Sequence, residues 1–289
     1  MDIVGMLSDS YALFKGNRIS YESFLNTLAR LLRPSDSTSL LRIVSEIISD
    51  FSHICKSKRG KMPNPIVEKY LGHFDFKTSD PTIRSLLLTL GNLIEVPSYL
   101  AYSLTEWDRF VEERDTSKCL SPIITYGVEV RNGFSLLNGL LRKSLSPQGV
   151  LIETGVLIEA MSRVQTQAEY IAYLDMHKGK IVSDQNKTLL FTFAGENRLL
   201  NYLLWPYIRD NWSSIYEQFG VTQFSLVNII MSMRYLSMPK DVRDEMKTFI
   251  VKKKVKNIVS TTNTLLELIE INWNINQNIN INIDVPYRY

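Results

Sequence analysis

Residues 203–220, which read LLWPYIRDNWSSIYEQFG, decide the fold. They place Trp205 and Trp212 seven residues apart, a spacing that puts both indoles on one face of a helix. Three further apolar side chains continue this stripe: Ile208, Ile215 and Phe219. Pro206 lacks a backbone N–H and is tolerated in the first turn of a helix, so we expect the helix to begin there. The stretch therefore predicts an amphipathic helix whose two indoles face the protein core.

The same helical spacing extends over most of the chain. Three helix starts share a small polar residue followed by proline: Asp80-Pro81, Ser121-Pro122 and Ser146-Pro147. Gly179 and Gly195 follow apolar runs as helix ends. Helices of this length joined by brief turns predict an all-α fold of paired antiparallel helices, stacked as a HEAT/armadillo-like α-solenoid. An ordinary globular helix bundle is the alternative, since no repeat consensus is visible.

The end of the chain has a different pattern. Isoleucine alternates with asparagine or another polar residue between Ile271 and Asp284. Such a low-complexity segment can form an edge strand, but so polar a terminus favours disorder. We therefore predict a helical domain over residues 1–273 and a disordered tail over residues 274–289.

Composition and charge exclude several classes of protein. The chain has 289 residues, of which 45% are hydrophobic and 22% charged, as in a folded domain. No apolar run is long enough to span a membrane, and Asp2 argues against a signal peptide. The formal charge of +3 is too small to indicate nucleic acid as a partner. The basic run at residues 252–256 is interpreted as a solvated helix end, because cations there complement the helix dipole.

Cysteines and sequons leave the compartment open. Cys55 and Cys119 show no metal-binding spacing, and whether they pair stays open. Glycosylation sequons begin at Asn186 and Asn211, although about two are expected by chance in an asparagine-rich chain. They favour an extracellular or secretory-pathway location over a cytoplasmic one.

Several blocks resemble one known family in the same order. The tryptophan stretch resembles a segment of the C-terminal helical domain of the gluzincin zinc aminopeptidases, the family of membrane alanyl, endoplasmic-reticulum and puromycin-sensitive aminopeptidases. Other similar blocks begin at Asp80, Ile124, Phe224, Asp241 and Glu267. Together they cover residues 7–273. The resemblance implies a non-catalytic domain that covers a zinc-containing catalytic domain and encloses a peptide chamber.

The family's zinc chemistry is not found in this sequence. Its members bind zinc through H-E-x-x-H, with the glutamate as general base. This chain contains only His53, His73 and His177, none of which belongs to that motif, and we interpret them as surface or loop residues. We therefore predict no catalytic, cofactor-binding or metal-binding residue in this chain, and expect zinc in the missing catalytic domain.

Two acidic segments could be mistaken for active-site motifs. Residues 194–197, Ala-Gly-Glu-Asn, resemble the family's G-x-M-E-N loop, whose glutamate holds the substrate amine, but here we expect them to close a helix. The carboxylates of Asp108, Glu112, Glu113 and Asp115 are interpreted as solvated surface rather than an acid/base pair.

Two hypotheses about function follow. The first is a non-catalytic C-terminal domain of an aminopeptidase, with the catalytic domain or a peptide substrate as partner. The alternative is a stand-alone α-solenoid that binds a peptide or protein.

Overall fold

The computed structural model describes residues 2–32, 38–54, 64–113, 120–144, 152–220, 223–253 and 258–279. Within these ranges the chain forms sixteen α-helices and no β-strand, which confirms the predicted all-α class. The solenoid stacking of paired helices stays a prediction. The helices are α1 (Ile3–Lys15), α2 (Tyr21–Leu31), α3 (Thr38–Ile54), α4 (Asn64–Leu71), α5 (Pro81–Leu93), α6 (Pro97–Glu113), α7 (Ser121–Arg131), α8 (Phe134–Ser144), α9 (Thr154–Met161), α10 (Gln167–Asp175), α11 (Lys187–Gly195), α12 (Leu204–Asp210), α13 (Trp212–Phe219), α14 (Gln223–Met231), α15 (Lys240–Lys252) and α16 (Ile258–Asn278).

The described residues form two units: the first contains those up to Gly127 together with residues 277–279, and the second contains those from Val128 to Asn276. In the first unit, α3 packs on α1 and α5, and α5 packs on α6. Its core contains an aromatic cluster in which the rings of Phe14 and Phe24 stack with centroids 5.3 Å apart. At the start of α5 the Asp80 side chain accepts hydrogen bonds from the amides of Thr82 and Ile83, so the predicted Asp80-Pro81 helix start is confirmed.

The second unit is organised around the short helix α11. This helix packs against α9, α10, α12 and α14 and is apolar on nearly every side, with Leu190, Phe191 and Ala194 fully buried. The C-terminal end of this helix, where Ala194 and Gly195 are buried, requires a close fit, because its last carbonyl groups need partners within the protein. The loop that follows α11 supplies that fit.

One predicted helix is divided in the structure. The tryptophan stretch is not one helix: α12 ends at Asp210 and α13 begins at Trp212. The Asn211 side-chain amide donates to the Tyr207 carbonyl at 2.9 Å, a local hydrogen bond of the kind that competes with helix continuation. Pro206 lies in the first turn of α12, where we expected the helix to begin.

The last helix continues into the segment predicted to be a disordered tail. Helix α16 runs to Asn278, five residues beyond the predicted end at 273, so residues 274–278 are helical. Ile275 and Asn276 are buried, and the Asn276 amide donates to the Asn272 carbonyl at 3.0 Å. The alternating pattern hides these contacts, because its buried residues follow a helical spacing. The remainder of the tail from residue 280, the Ser146-Pro147 start and both cysteines lie outside the described residues.

Within the described ranges, no helix is both long enough and apolar enough to cross a lipid bilayer.

Candidate functional site

The two indoles of the tryptophan stretch lie in the core of the second unit. Trp205 is 0% exposed and Trp212 is 5% exposed. Both rings meet the ring of Phe249 on α15 edge to face, with centroids 5.4 and 5.6 Å apart. Edge-to-face pairs of this kind stabilise beyond their buried area. Trp205 and Trp212 therefore join α12 and α13 to α15, and their assignment to the core holds.

The segment that resembles an exopeptidase loop closes α11. The helix ends at Gly195 and its C-cap is Glu196, which confirms the helix-end interpretation of residues 194–197. Gly195 packs directly on the backbone of the segment after α14, where a Cβ would overlap the Ser232 carbonyl. The Asn201 side-chain amide donates to the Gly195 carbonyl at 3.2 Å. Only a residue without a side chain fits at position 195.

Asn197 connects the closing loop to the end of α9. Its amide nitrogen Nδ2 donates to the carbonyls of Ser162 and Val164 at 2.7 and 2.8 Å. Its Oδ1 accepts from the backbone amides of Leu199 and Leu200 at 3.0 and 2.9 Å. The side chain is buried and pairs with four backbone groups. This is a structural role.

Glu196 is held between two arginines. Its Oε1 lies 3.1 Å from Arg234 Nη2, and its Oε2 lies 3.8 Å from Arg163 Nη2. Arg163 also donates to the Glu196 carbonyl at 2.8 Å. Burial raises the pKa of Glu196, and the two guanidinium groups act against that shift by stabilising the carboxylate. A carboxylate engaged in this way is part of an internal network rather than a free acceptor for a substrate amine.

His177 lies in an aromatic cage, so our interpretation of it as a surface or loop residue is wrong. It is 0% exposed and its ring contacts the rings of Phe191, Tyr207 and Phe219. Its Nδ1 lies 2.8 Å from the Leu174 carbonyl, and burial lowers the pKa of the imidazole. A neutral imidazole suits this position because an apolar cage penalises the charged form. Sequence spacing could not show this, because the cage comes from three separate helices.

Tyr207 connects His177 to the surface. Its hydroxyl donates to Asp175 Oδ1 at 2.7 Å, and Lys178 Nζ lies 2.6 Å from the same carboxylate oxygen. Burial disfavours the ionised form of Asp175, but its hydrogen bonds to Lys178 and Tyr207 lower the pKa overall. Burial, followed by Asp175, raises the pKa of Tyr207, so the phenol stays protonated and can donate. The arrangement orders these side chains beside the buried imidazole.

The other two histidines differ from each other. His53 is buried at the end of α3, which also contradicts its interpretation as a surface or loop residue, whereas His73 is exposed after α4. The last turn of α3 faces the core. The spacing of apolar residues in the sequence does not reveal that His53 is among the buried residues of that turn. Across the described ranges, no three His, Cys, Asp or Glu side chains are grouped as metal ligands.

The charged segments lie on the surface as expected where they are described. Asp108, Glu112 and Glu113 are exposed along α6, whereas Asp115 lies outside the described residues. Lys252 is the last residue of α15, and Lys253 Nζ lies 4.7 Å from the centroid of the Phe249 ring. This is the predicted helix end; residues 254–256 lie outside the described residues.

The network around Asn197 and Glu196 was not predicted from the sequence. Arg163 and Arg234 each meet Glu196 across more than thirty residues of chain. No local pattern marks either arginine, because partners so distant in sequence meet only through the packing of α9, α11 and α14. The glycine at position 195 was the available signal, and it indicated a helix end.

These observations define an all-α protein in which both indoles of the tryptophan stretch are buried. The side chains of Glu196 and Asn197 are bonded to neighbouring groups, and we call this the closed polar network. Residues 1–271 match the ERAP1-like C-terminal domain, and the chain belongs to that family. It is similar to endoplasmic reticulum aminopeptidase 2 of Homo sapiens, with 20% identity over 94% of this chain and 30% of that protein. It is also similar to endoplasmic reticulum aminopeptidase 2 of Bos taurus, with 21% identity over 88% of this chain and 28% of that protein. The chain thus spans less than a third of the length of these relatives.

Proposed function

We propose that this chain acts as the non-catalytic C-terminal domain of a zinc aminopeptidase, covering the catalytic domain and enclosing the peptide chamber. The observation that carries the proposal is the family match over residues 1–271. The relatives add support, because they are aminopeptidases more than three times as long as the matched region.

The closed network after α11 supports a structural contribution to such an enzyme. Asn197 satisfies four backbone groups and Glu196 is engaged by two arginines, so the loop is held in one conformation by its own contacts. A domain that encloses a chamber needs walls that keep their shape when substrate enters. Pre-organised walls reduce the entropic cost of binding.

The zinc and its general base belong, in this proposal, to a catalytic domain outside residues 1–289. The sequence contains no H-E-x-x-H, and the buried His177 faces aromatic rings. The contribution of this chain would be to bind, orient and shield a peptide.

The sharpest test is the size and coding sequence of the native protein. An antibody raised against residues 1–289 would be used to isolate the protein from its source, and peptides would be mapped by mass spectrometry. We expect a species about three times the 33.3 kDa of this chain, with a co-linear segment carrying H-E-x-x-H. A native species of 33.3 kDa, with no such segment, would overturn the proposal and favour a stand-alone α-solenoid that binds a peptide or protein.

Activity gives a second test. The isolated chain is expected to release no amino acid from peptides with free N-termini, with or without added zinc. The native protein is expected to do so and to lose activity to a zinc chelator. Chelator-sensitive release by the isolated chain, from a preparation shown free of contaminating peptidase, would contradict the assignment.

A further inference from the structure

The two glycosylation sequons have different surroundings in the second unit. Asn186 lies at the entrance to α11, in a surface turn where residues 183–185 are exposed. The neighbouring Asp184 side chain is 93% exposed. Asn186 itself is partly exposed, and its side chain makes no capping hydrogen bond to the helix. Its amide can therefore be modified without loss of a capping contact.

Asn211 is placed differently, although its sequon is of equal form. Its Nδ2 donates to the Tyr207 carbonyl at 2.9 Å, and its Oδ1 accepts from Lys178 Nζ at 3.0 Å. The next residue, Trp212, is buried with its indole against Phe249. Both polar atoms of the Asn211 amide thus hold the junction between α12 and α13. A sugar on Nδ2 would replace one of its two hydrogens and would add bulk at this junction.

We propose that Asn186 is an acceptor for an N-linked oligosaccharide and that Asn211 is not. In the reaction, Nδ2 of Asn186 forms a bond to C1 of the first sugar of a lipid pyrophosphate-linked oligosaccharide. The C1–O bond to the pyrophosphate breaks, the lipid pyrophosphate leaves with the bonding electrons, and the amide nitrogen loses one proton. The hydroxyl of Thr188 completes the acceptor motif at position +2.

The proposal rests on the proposed function only for the compartment, because the relatives are endoplasmic reticulum aminopeptidases. A glycan at Asn186 would mark the entrance to α11 as solvent-facing in the assembled protein. No partner surface could then cover that turn closely.

The experiment directs residues 1–289 into the secretory pathway of cultured animal cells. The chain carries a signal peptide and an N-terminal tag that contains a separate reporter sequon, whose glycosylation proves translocation. Cells and medium are pooled, so that retained protein is also counted. Glycans are removed enzymatically in ¹⁸O water, and the aspartate left at each occupied site is mapped by mass spectrometry.

We expect the wild-type chain to carry a glycan at the reporter and at Asn186, with Asn211 unmodified. Asn186→Gln and Thr188→Ala should each leave only the reporter glycan. Ser213→Ala, which deletes the second sequon at an exposed residue, should leave the pattern unchanged. The paired variants N186Q and T188A remove the first motif from opposite ends, so a folding defect in one does not decide the result.

Two results would overturn the proposal. The first is an unmodified Asn186 in molecules whose reporter is glycosylated. The second is a glycan on Asn211 in the wild-type chain. Neither depends on whether the chain belongs to an active aminopeptidase, which the native mass and the chelator assay decide separately.

Discussion

Replacing Asn197 by alanine is expected to weaken the second unit more than any comparable substitution of a surface asparagine. The side chain makes four hydrogen bonds to backbone groups and is 3% exposed. Each intramolecular hydrogen bond contributes about 1 kcal/mol net, so the four together contribute about 4 kcal/mol. Alanine removes all of them and leaves the buried Ser162 and Val164 carbonyls and the buried Leu200 amide without these partners.

Thermal unfolding measures this loss. In a unit of about 150 residues, 1 kcal/mol shifts the midpoint by about 2–4 °C, so Asn197→Ala should lower Tm by about 8–16 °C. Tryptophan fluorescence follows the unfolding of this unit through the buried indoles of Trp205 and Trp212, and a Trp107→Phe background removes the signal of the buried indole in the first unit. Asn197→Asp keeps the Oδ1 acceptor but points a carboxylate oxygen at the Ser162 and Val164 carbonyls, so it should be destabilising as well.

The matched control is Asn186→Ala, at an asparagine that makes no capping hydrogen bond. We expect its Tm to stay within about 2 °C of wild type, as for most surface substitutions. The reasoning would be refuted if Asn197→Ala were as mild as this control, because the four hydrogen bonds would then contribute nothing measurable.

Three further substitutions test the same unit. Gly195→Ala should cost about 3 kcal/mol in unfolding free energy, because its Cβ overlaps the Ser232 carbonyl; urea unfolding indistinguishable from wild type would contradict this. Burial lowers the pKa of His177, so the unfolded chain binds the proton more readily and stability falls as pH drops through about 6.5 towards the lower folded pKa. His177→Asn should reduce that pH dependence, and equal slopes of unfolding free energy against pH would be the contrary result. Tyr170→Phe should cost about 1 kcal/mol, because the buried hydroxyl donates to the Ala194 carbonyl at 3.0 Å; an unchanged midpoint in urea would show that the bond is unimportant.

Several helix starts and ends were predictable because their cause is local. The Asp80 cap with proline after it, the helix beginning near Pro206 and the helix end at Gly195 all depend on a few neighbouring residues. Backbone geometry and short-range hydrogen bonds determine such features, so the residue types carry the information.

Errors arose where the deciding contact lies elsewhere in the chain. His177 follows a polar pattern, but three helices bring aromatic rings around it. Residues 274–278 look like a low-complexity tail, yet Ile275 and Asn276 are buried. The α12–α13 break is an exception, because its hydrogen bond from Asn211 to the Tyr207 carbonyl is local. The residue type alone did not show whether this side chain would bond to the helix or face solvent.

The sequence by itself determined the all-α class, the helix start at Asp80, the helix end at Gly195, and the family to which the chain belongs. Those properties follow from helical periodicity, caps and the order of motifs. Only the tertiary structure decided that Gly195 must lack a side chain, that Asn197 joins α9 to the loop after α11, and that the two sequons differ. The physical reason is that these residues act through partners distant in sequence, and packing alone chooses those partners.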